Sequence, residues 1–166
     1  ARKLSPAGYG TLNTVFALAA IFSVFAMNFS ANQVITREVT LHPASTKNIF
    51  RIVLSIRLIS LLLTIVSLII YQSNTDEGKS TFIIASVFIV ISSLIWDMAE
   101  SIAFGHFVTK LTTLISISAS LCWLIVVLFL PSKNINVEQV TILYAVILLF
   151  RSLTYLGFSF KKFVKP

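Results

Sequence analysis

The chain has 166 residues, of which 57% are hydrophobic and only 11% charged, and its mean hydropathy is +0.93. A soluble domain carries about 25% charged residues and cannot hide this much apolar surface, which excludes the soluble globular classes. The net charge of +7 raises nucleic-acid binding, but the lysines and arginines are scattered through loops and ends, with no basic stripe interleaved with exposed aromatics. Basic loops facing an anionic leaflet fit better.

Five apolar segments reach the ~20 residues that span a bilayer. They are Tyr9–Ala31, Ile49–Tyr71, Thr81–Phe104, Val108–Leu130 and Val137–Phe160. None alternates with period two along its length, so the fold class is all-α: one polytopic membrane helix bundle over residues 1–166. Residues Asn32–Asn48 read as a basic loop broken at His42-Pro43. Asn74-Thr75-Asp76-Glu77-Gly78 and Pro131-Ser132-Lys133-Asn134 read as polar turns, and Gly105-His106 as the tightest connection. Asn136 with Gln139 three residues later predicts a capping box opening the last helix. The single cysteine, Cys122, excludes a disulfide framework and reads as a small packing residue.

Orientation follows from the basic residues. Arg37, Lys47, Arg51, Lys110, Lys161, Lys162 and Lys165 fall on one side, against Arg2, Lys3, Lys79 and Lys133 on the other. The richer side, with the 32–48 segment and the C-terminus, is expected to be cytoplasmic. Five spans then place the N-terminus outside. With neither an initiator Met nor a signal peptide, that orientation suggests a fragment lacking an upstream helix.

Four of the segments carry a polar stripe at helical spacing. These stripes are Arg57, Ser60, Thr64, Ser67 and Tyr71; Ser86, Ser93, Asp97, Glu100 and Ser101; Thr109, Thr113, Ser116 and Ser120; and Thr141, Tyr144, Arg151, Tyr155 and Ser159. The simple arrangement turns the stripes inward and the branched aliphatics toward lipid. Most of the hydroxyls read as helix-packing groups bonded to their own backbone. The charged four are different, because a guanidinium at mid-bilayer costs about 2.5–3.5 kcal/mol on insertion scales. Arg57, Asp97, Glu100 and Arg151 all lie in the cytoplasmic half. They could neutralise one another as buried pairs, the reading favoured for the carboxylates. For Arg57 and Arg151 a hydrated cavity holding an anionic, phosphorylated substrate is favoured.

His42 and His106 are lone loop histidines, Gly8-Tyr9-Gly10 lacks a third glycine, and Asn28-Phe29-Ser30 matches a glycosylation sequon by chance, since it sits at a cytoplasmic helix end. Trp96, Trp123, Tyr9 and Tyr71 read as packing or interfacial anchors. With no nucleophile–base pair, phosphate loop or metal-ligand cluster, neither an enzyme nor a cofactor is indicated.

Leu4-Ser5-Pro6-Ala7-Gly8-Tyr9-Gly10 before an apolar helix resembles the "LGPEGYG"-like turn of lipid-linked oligosaccharide flippases. These form the polysaccharide-transporter (O-antigen) branch of the multidrug/oligosaccharidyl-lipid/polysaccharide exporter superfamily. Thr36-Arg37-Glu38, Pro43, Lys47 and Arg57 are similar to that family's "TREIARNP…K…LR" region, where a basic loop enters a helix with an inward arginine. Trp96-Asp97, Glu100 and Lys110 agree loosely.

The resemblance implies the second to sixth helices of a six-helix N-terminal lobe, without the first helix and the C-terminal lobe. It also implies alternating access and a polyprenyl-pyrophosphate-linked oligosaccharide as partner, within a prokaryotic plasma membrane. Arg57 and Arg151 would then bind substrate, and Asp97 and Glu100 would pair with them or gate the cavity. A drug or cation exporter of the same superfamily is the alternative within transport. A small membrane scaffold, its stripes serving as assembly faces, is the alternative outside it.

Overall fold

The computed structural model describes residues 6–27, 31–74, 80–129 and 136–164. Among these there is no strand, and five helical stretches are long and apolar enough to cross a membrane. The chain is a multi-pass membrane protein of all-α class. The turns expected at 75–78 and 131–134, the Asn28–Ser30 sequon, and Arg2, Lys3, Lys79, Lys133 and Lys165 lie outside the described residues.

Among the described residues the α-helices are α1 Pro6–Ala26, α2 Ala31–Leu41, α3 Thr46–Ser73, α4 Ser80–Gly105, α5 Lys110–Phe129 and α6 Val137–Ser159. A short 3-10 turn at Pro43–Ser45 joins α2 to α3, and α6 widens into a π turn over Phe160–Val164. Asn136 caps α6, its side-chain oxygen accepting the Glu138 N–H at 3.2 Å.

Helix α4 is the centre, and the others are arranged by what they bury on it. Its Ala85, Ile89 and Val90 pack against Ala19 and Ala26 of α1, Leu68 of α3 and Ala145 of α6. Small residues at these crossings let backbones approach closely, as expected where lipid removes the hydrophobic drive between helices. Polar pins fix the registers. Gln72 donates to the Ser86 hydroxyl at 3.1 Å, and Ser92 meets Ser152 at 2.8 Å. The Ser152 hydroxyl already donates to the Leu148 carbonyl, so in the latter pair Ser92 is the donor. Large apolar side chains on α3, among them Ile52, Ile59, Leu62, Leu63 and Val66, face outward. That suits a lipid-facing surface.

Several expectations are corrected, the inward placing of Ser67 and Tyr71 of α3 among them, since both are exposed. Residues 31–41 form a helix rather than a loop. The segment is too short and polar to register as a span, but Ile35 and Val39 recur at a four-residue step and are both buried. The first span correspondingly ends at Ala26, not Ala31. The α5 stripe does not turn inward either: Thr109, Thr113 and Ser120 are exposed, and Thr112 is the buried residue of that helix. Cys122, read as a packing residue, is exposed on the same helix.

The α4–α5 turn places Phe107, a non-glycine residue, at φ 58 while leaving its ring 81% exposed. Left-handed backbone costs an L-residue roughly 1–2 kcal/mol, and glycine escapes most of it. Phe107→Gly is therefore expected to raise stability by about 1 kcal/mol, read from the denaturation midpoint in detergent.

At the same end, Phe163 of the π turn stacks on His106, with centroids 4.4 Å apart and planes 7° from parallel. The Thr46 hydroxyl donates to the Pro43 carbonyl at 2.7 Å and lies 3.2 Å from His106 Nε2. Its one proton is thereby used, so Nε2 must carry the hydrogen of the second contact. Burial, and then the nearby Lys162 ammonium, hold the His106 pKa below its ordinary value. The unfolded chain therefore binds the proton at higher pH than the folded one. Stability is full above about pH 6.5 and falls as pH drops through the folded pKa. Melting temperatures at pH 7.5 and 5.5 should separate in the native protein and converge in His106→Gln.

Candidate functional site

The charged residues of the apolar segments do not form one cluster. Three side chains meet where α2, α3 and α4 converge. Arg57 Nη1 of α3 lies 2.7 Å from Asp97 Oδ2 of α4, and both residues are buried, Arg57 to 1% exposure. Asn32, in the first turn of α2, bridges them: its side-chain oxygen accepts from Arg57 Nη2 and its amide donates to Asp97 Oδ1.

The placement of Asn32 follows from how α1 and α2 run. Ala19 packs near Ala85 and Ile89, Ala26 near Val90 and Leu94, and Asn32 bonds Asp97. Both helices thus run parallel to α4, one above the other, and α1 ends before Asp97 is reached. Three contacts place α2 on α4 with the same sequence separation of 65: Asn32 with Asp97, Thr36 Oγ1 with the Ser101 carbonyl, and Thr40 Oγ1 near the Gly105 carbonyl at 3.2 Å, its proton shared with the closer Thr36 carbonyl at 2.7 Å. The N-terminal end of α2 therefore meets a carboxylate inside the bundle. The partial positive charge of that helix end favours the anion. At the end of α1, Ser60 of α3 donates to the Phe25 carbonyl at 3.0 Å, satisfying one of the acceptors a helix terminus leaves open.

Arg151 is elsewhere. Its guanidinium lies over the Trp96 ring, 4.1 Å from the centroid, and Trp96 in turn meets Tyr155 at 4.8 Å. The Tyr155 hydroxyl is paired with Thr112, which ties α5 to α6. Arg151 also borders a mainly apolar groove of about 340 Å³ between α5 and α6, beside Cys122, Phe150 and Thr154. Glu100 is half-buried and within electrostatic reach of both Asp97 and Arg151.

Two further clefts share Glu100 and Phe104. The one between α2 and α4, about 450 Å³, is lined also by Asn32, Gln33, Thr36 and Arg37. The other, about 370 Å³, runs between α4 and α5 past Trp96 and the hydroxyls of Thr109, Thr113 and Ser116. The outward stripe of α5 is thus the wall of a polar groove.

No protein-family model, curated protein or solved structure matches the chain. The site is therefore read from its own geometry. Arg57 and Asp97 are brought together as a neutralised pair, while Glu100 and Arg151 stand about the Trp96 ring. Asn32 was missed by the sequence reading. Its signal was the spacing Asn32, Ile35, Thr36, Val39, which marks one face of a helix.

Proposed function

We propose that the chain takes part in moving a polyprenyl-pyrophosphate-linked oligosaccharide across a prokaryotic plasma membrane by alternating access. In this reading its five spans belong to one lobe of a polysaccharide-biosynthesis flippase, with the α2 side cytoplasmic. The observation that carries the reading is the charged centre inside the bundle, where the N-terminal turn of α2 meets the buried Arg57–Asp97 pair. Helix N-termini aimed at charge within the bundle are how many transporters build a substrate site inside the membrane.

Arg57 then holds α2 to α3 and α4, because Asp97 and Asn32 occupy its guanidinium. Arg151 is the cation placed to meet a pyrophosphate, and the resemblance at Pro6–Gly10 and Thr36–Arg57 adds support.

A second reading, export of an organic cation, is favoured by one observation. Glu100 borders both of these clefts and has no salt bridge among the described residues. Saturable binding to the purified chain in nanodiscs separates the two. A flippase lobe should bind a polyprenyl-pyrophosphate oligosaccharide and lose roughly tenfold or more of that affinity in Arg151→Gln, the worth of a charge-assisted contact. Binding of a lipophilic cation, lost in Glu100→Gln, would favour the exporter. If neither ligand binds, both transport readings fail and an assembly role stands.

A further inference from the structure

The cleft between α2 and α4 carries opposite charges on opposite walls. Arg37 is exposed on α2, and Glu100 is half-buried on α4. The two helices are parallel and in register, Thr36 lying against Ser101. Arg37 and Glu100 therefore sit at nearly the same level across the gap. They do not close on each other, since the salt bridge among the described residues is that of Arg57 with Asp97. A space of about 450 Å³ separates them, within the range of ordinary small-ligand sites.

Depth decides what could fill it. Glu100 is five residues from the end of α4, which at the helical rise places it about 7–8 Å below that end. Arg37 is about 6 Å from the end of α2. Both charges thus lie where the polar and acyl layers of a bilayer meet, the level of a lipid headgroup. Between them Gln33 and Thr36 add hydrogen-bonding groups, and Phe104, 40% exposed, offers an apolar edge for a chain.

From this geometry we infer that the α2–α4 cleft is a binding site for a zwitterionic phospholipid headgroup with a primary ammonium, of the phosphoethanolamine type. The planar guanidinium of Arg37 takes the phosphate through paired N–H donors. Glu100 takes the ammonium, which donates hydrogen bonds that a trimethylammonium cannot. The site lies beside the proposed transport path and does not depend on that function.

Trp96 supplies the reporter, because it lines the neighbouring cleft together with Glu100, one helical turn away on α4. A Trp123→Phe background leaves it the sole tryptophan. The chain would be placed in nanodiscs containing phosphatidylethanolamine, phosphatidylcholine or phosphatidylglycerol, each brominated near the top of its acyl chains. Quenching of Trp96 should show a roughly tenfold preference for phosphatidylethanolamine over phosphatidylcholine, the worth of one charge-assisted hydrogen bond.

Glu100→Gln and Arg37→Gln should each remove the preference while leaving far-UV circular dichroism unchanged. Equal quenching by all three lipids in the native protein would overturn the assignment without recourse to any variant. So would a preference for phosphatidylglycerol that grows in Glu100→Gln, which would mark a plain anion site. Displacement by soluble phosphoethanolamine with no quenching by its lipid would overturn the lipid source.

Discussion

Replacing Asp97 with alanine is expected to destabilise the bundle by about 3–5 kcal/mol, because it leaves Arg57 as an uncompensated buried charge. Removing the carboxylate also takes the acceptor from the Asn32 amide, so the first turn of α2 loses its tie to α4. Asn32→Ala should cost less, about 1–3 kcal/mol, since it unmakes hydrogen bonds but leaves the ion pair in place. The informative control is the double replacement Arg57→Met with Asp97→Leu. A buried pair exchanged for apolar groups of similar volume is commonly neutral or stabilising by about 1–4 kcal/mol. Reversible unfolding in mixed micelles, followed by circular dichroism, gives all three values. A cost for Asp97→Ala within the ±0.5 kcal/mol or so of an ordinary surface substitution would mean that Arg57 reaches water. If the double variant is stable yet inactive in ligand binding, the pair serves function rather than folding.

What the sequence made legible and what it hid have one physical cause. Spans are specified by long runs of apolar residues, so the helices that became α3 to α6 were readable to within a few residues at either end. The inward faces of α4 and α6 were readable too, because Ser86, Asp97, Ser101, Thr141, Tyr155 and Ser159 fall at helical spacing and are all buried. Helix α2 was hidden because hydropathy averages over a span, and eleven residues with two buried aliphatics look like a loop. The α5 stripe was misassigned for a related reason. Thr113 and Ser120 satisfy their hydroxyls on the carbonyls of Thr109 and Ser116, so spacing alone cannot tell an inward face from the wall of a groove. Which carboxylate would take Arg57 was not legible either. Asp97 and Glu100 share a face of α4, and the choice depends on Asn32, supplied by the helix that the sequence reading did not contain.

Gly105→Ala is expected to destabilise by about 1–3 kcal/mol, the usual cost of overpacking a filled site. Gly105 is not there for backbone freedom, since no described glycine has a positive φ. Its reason is space: a Cβ would stand 2.6 Å from Val39 Cγ1, 2.7 Å from Val39 Cβ and 3.1 Å from the Thr36 carbonyl oxygen. Val39 is fully buried and cannot swing aside, so α2 itself would have to lift from α4. The Thr40 contact at the Gly105 carbonyl would go with it, and the strain would run along α2 toward Asn32. Gly157 of α6 is the internal comparison, because a Cβ there meets nothing within 4 Å. Gly157→Ala should stabilise by about 0.5–1 kcal/mol through helix propensity alone. Val39→Ala in the Gly105→Ala background should recover much of the loss, giving a coupling of about 0.5–3 kcal/mol in a double-mutant cycle. Opposite signs at the two glycines, with coupling only to Val39, would establish that α2 is a docked part of the bundle. The same sign at both would mean that α2 is loosely held, and the Asn32 bridge could not then be what holds Arg57 in place.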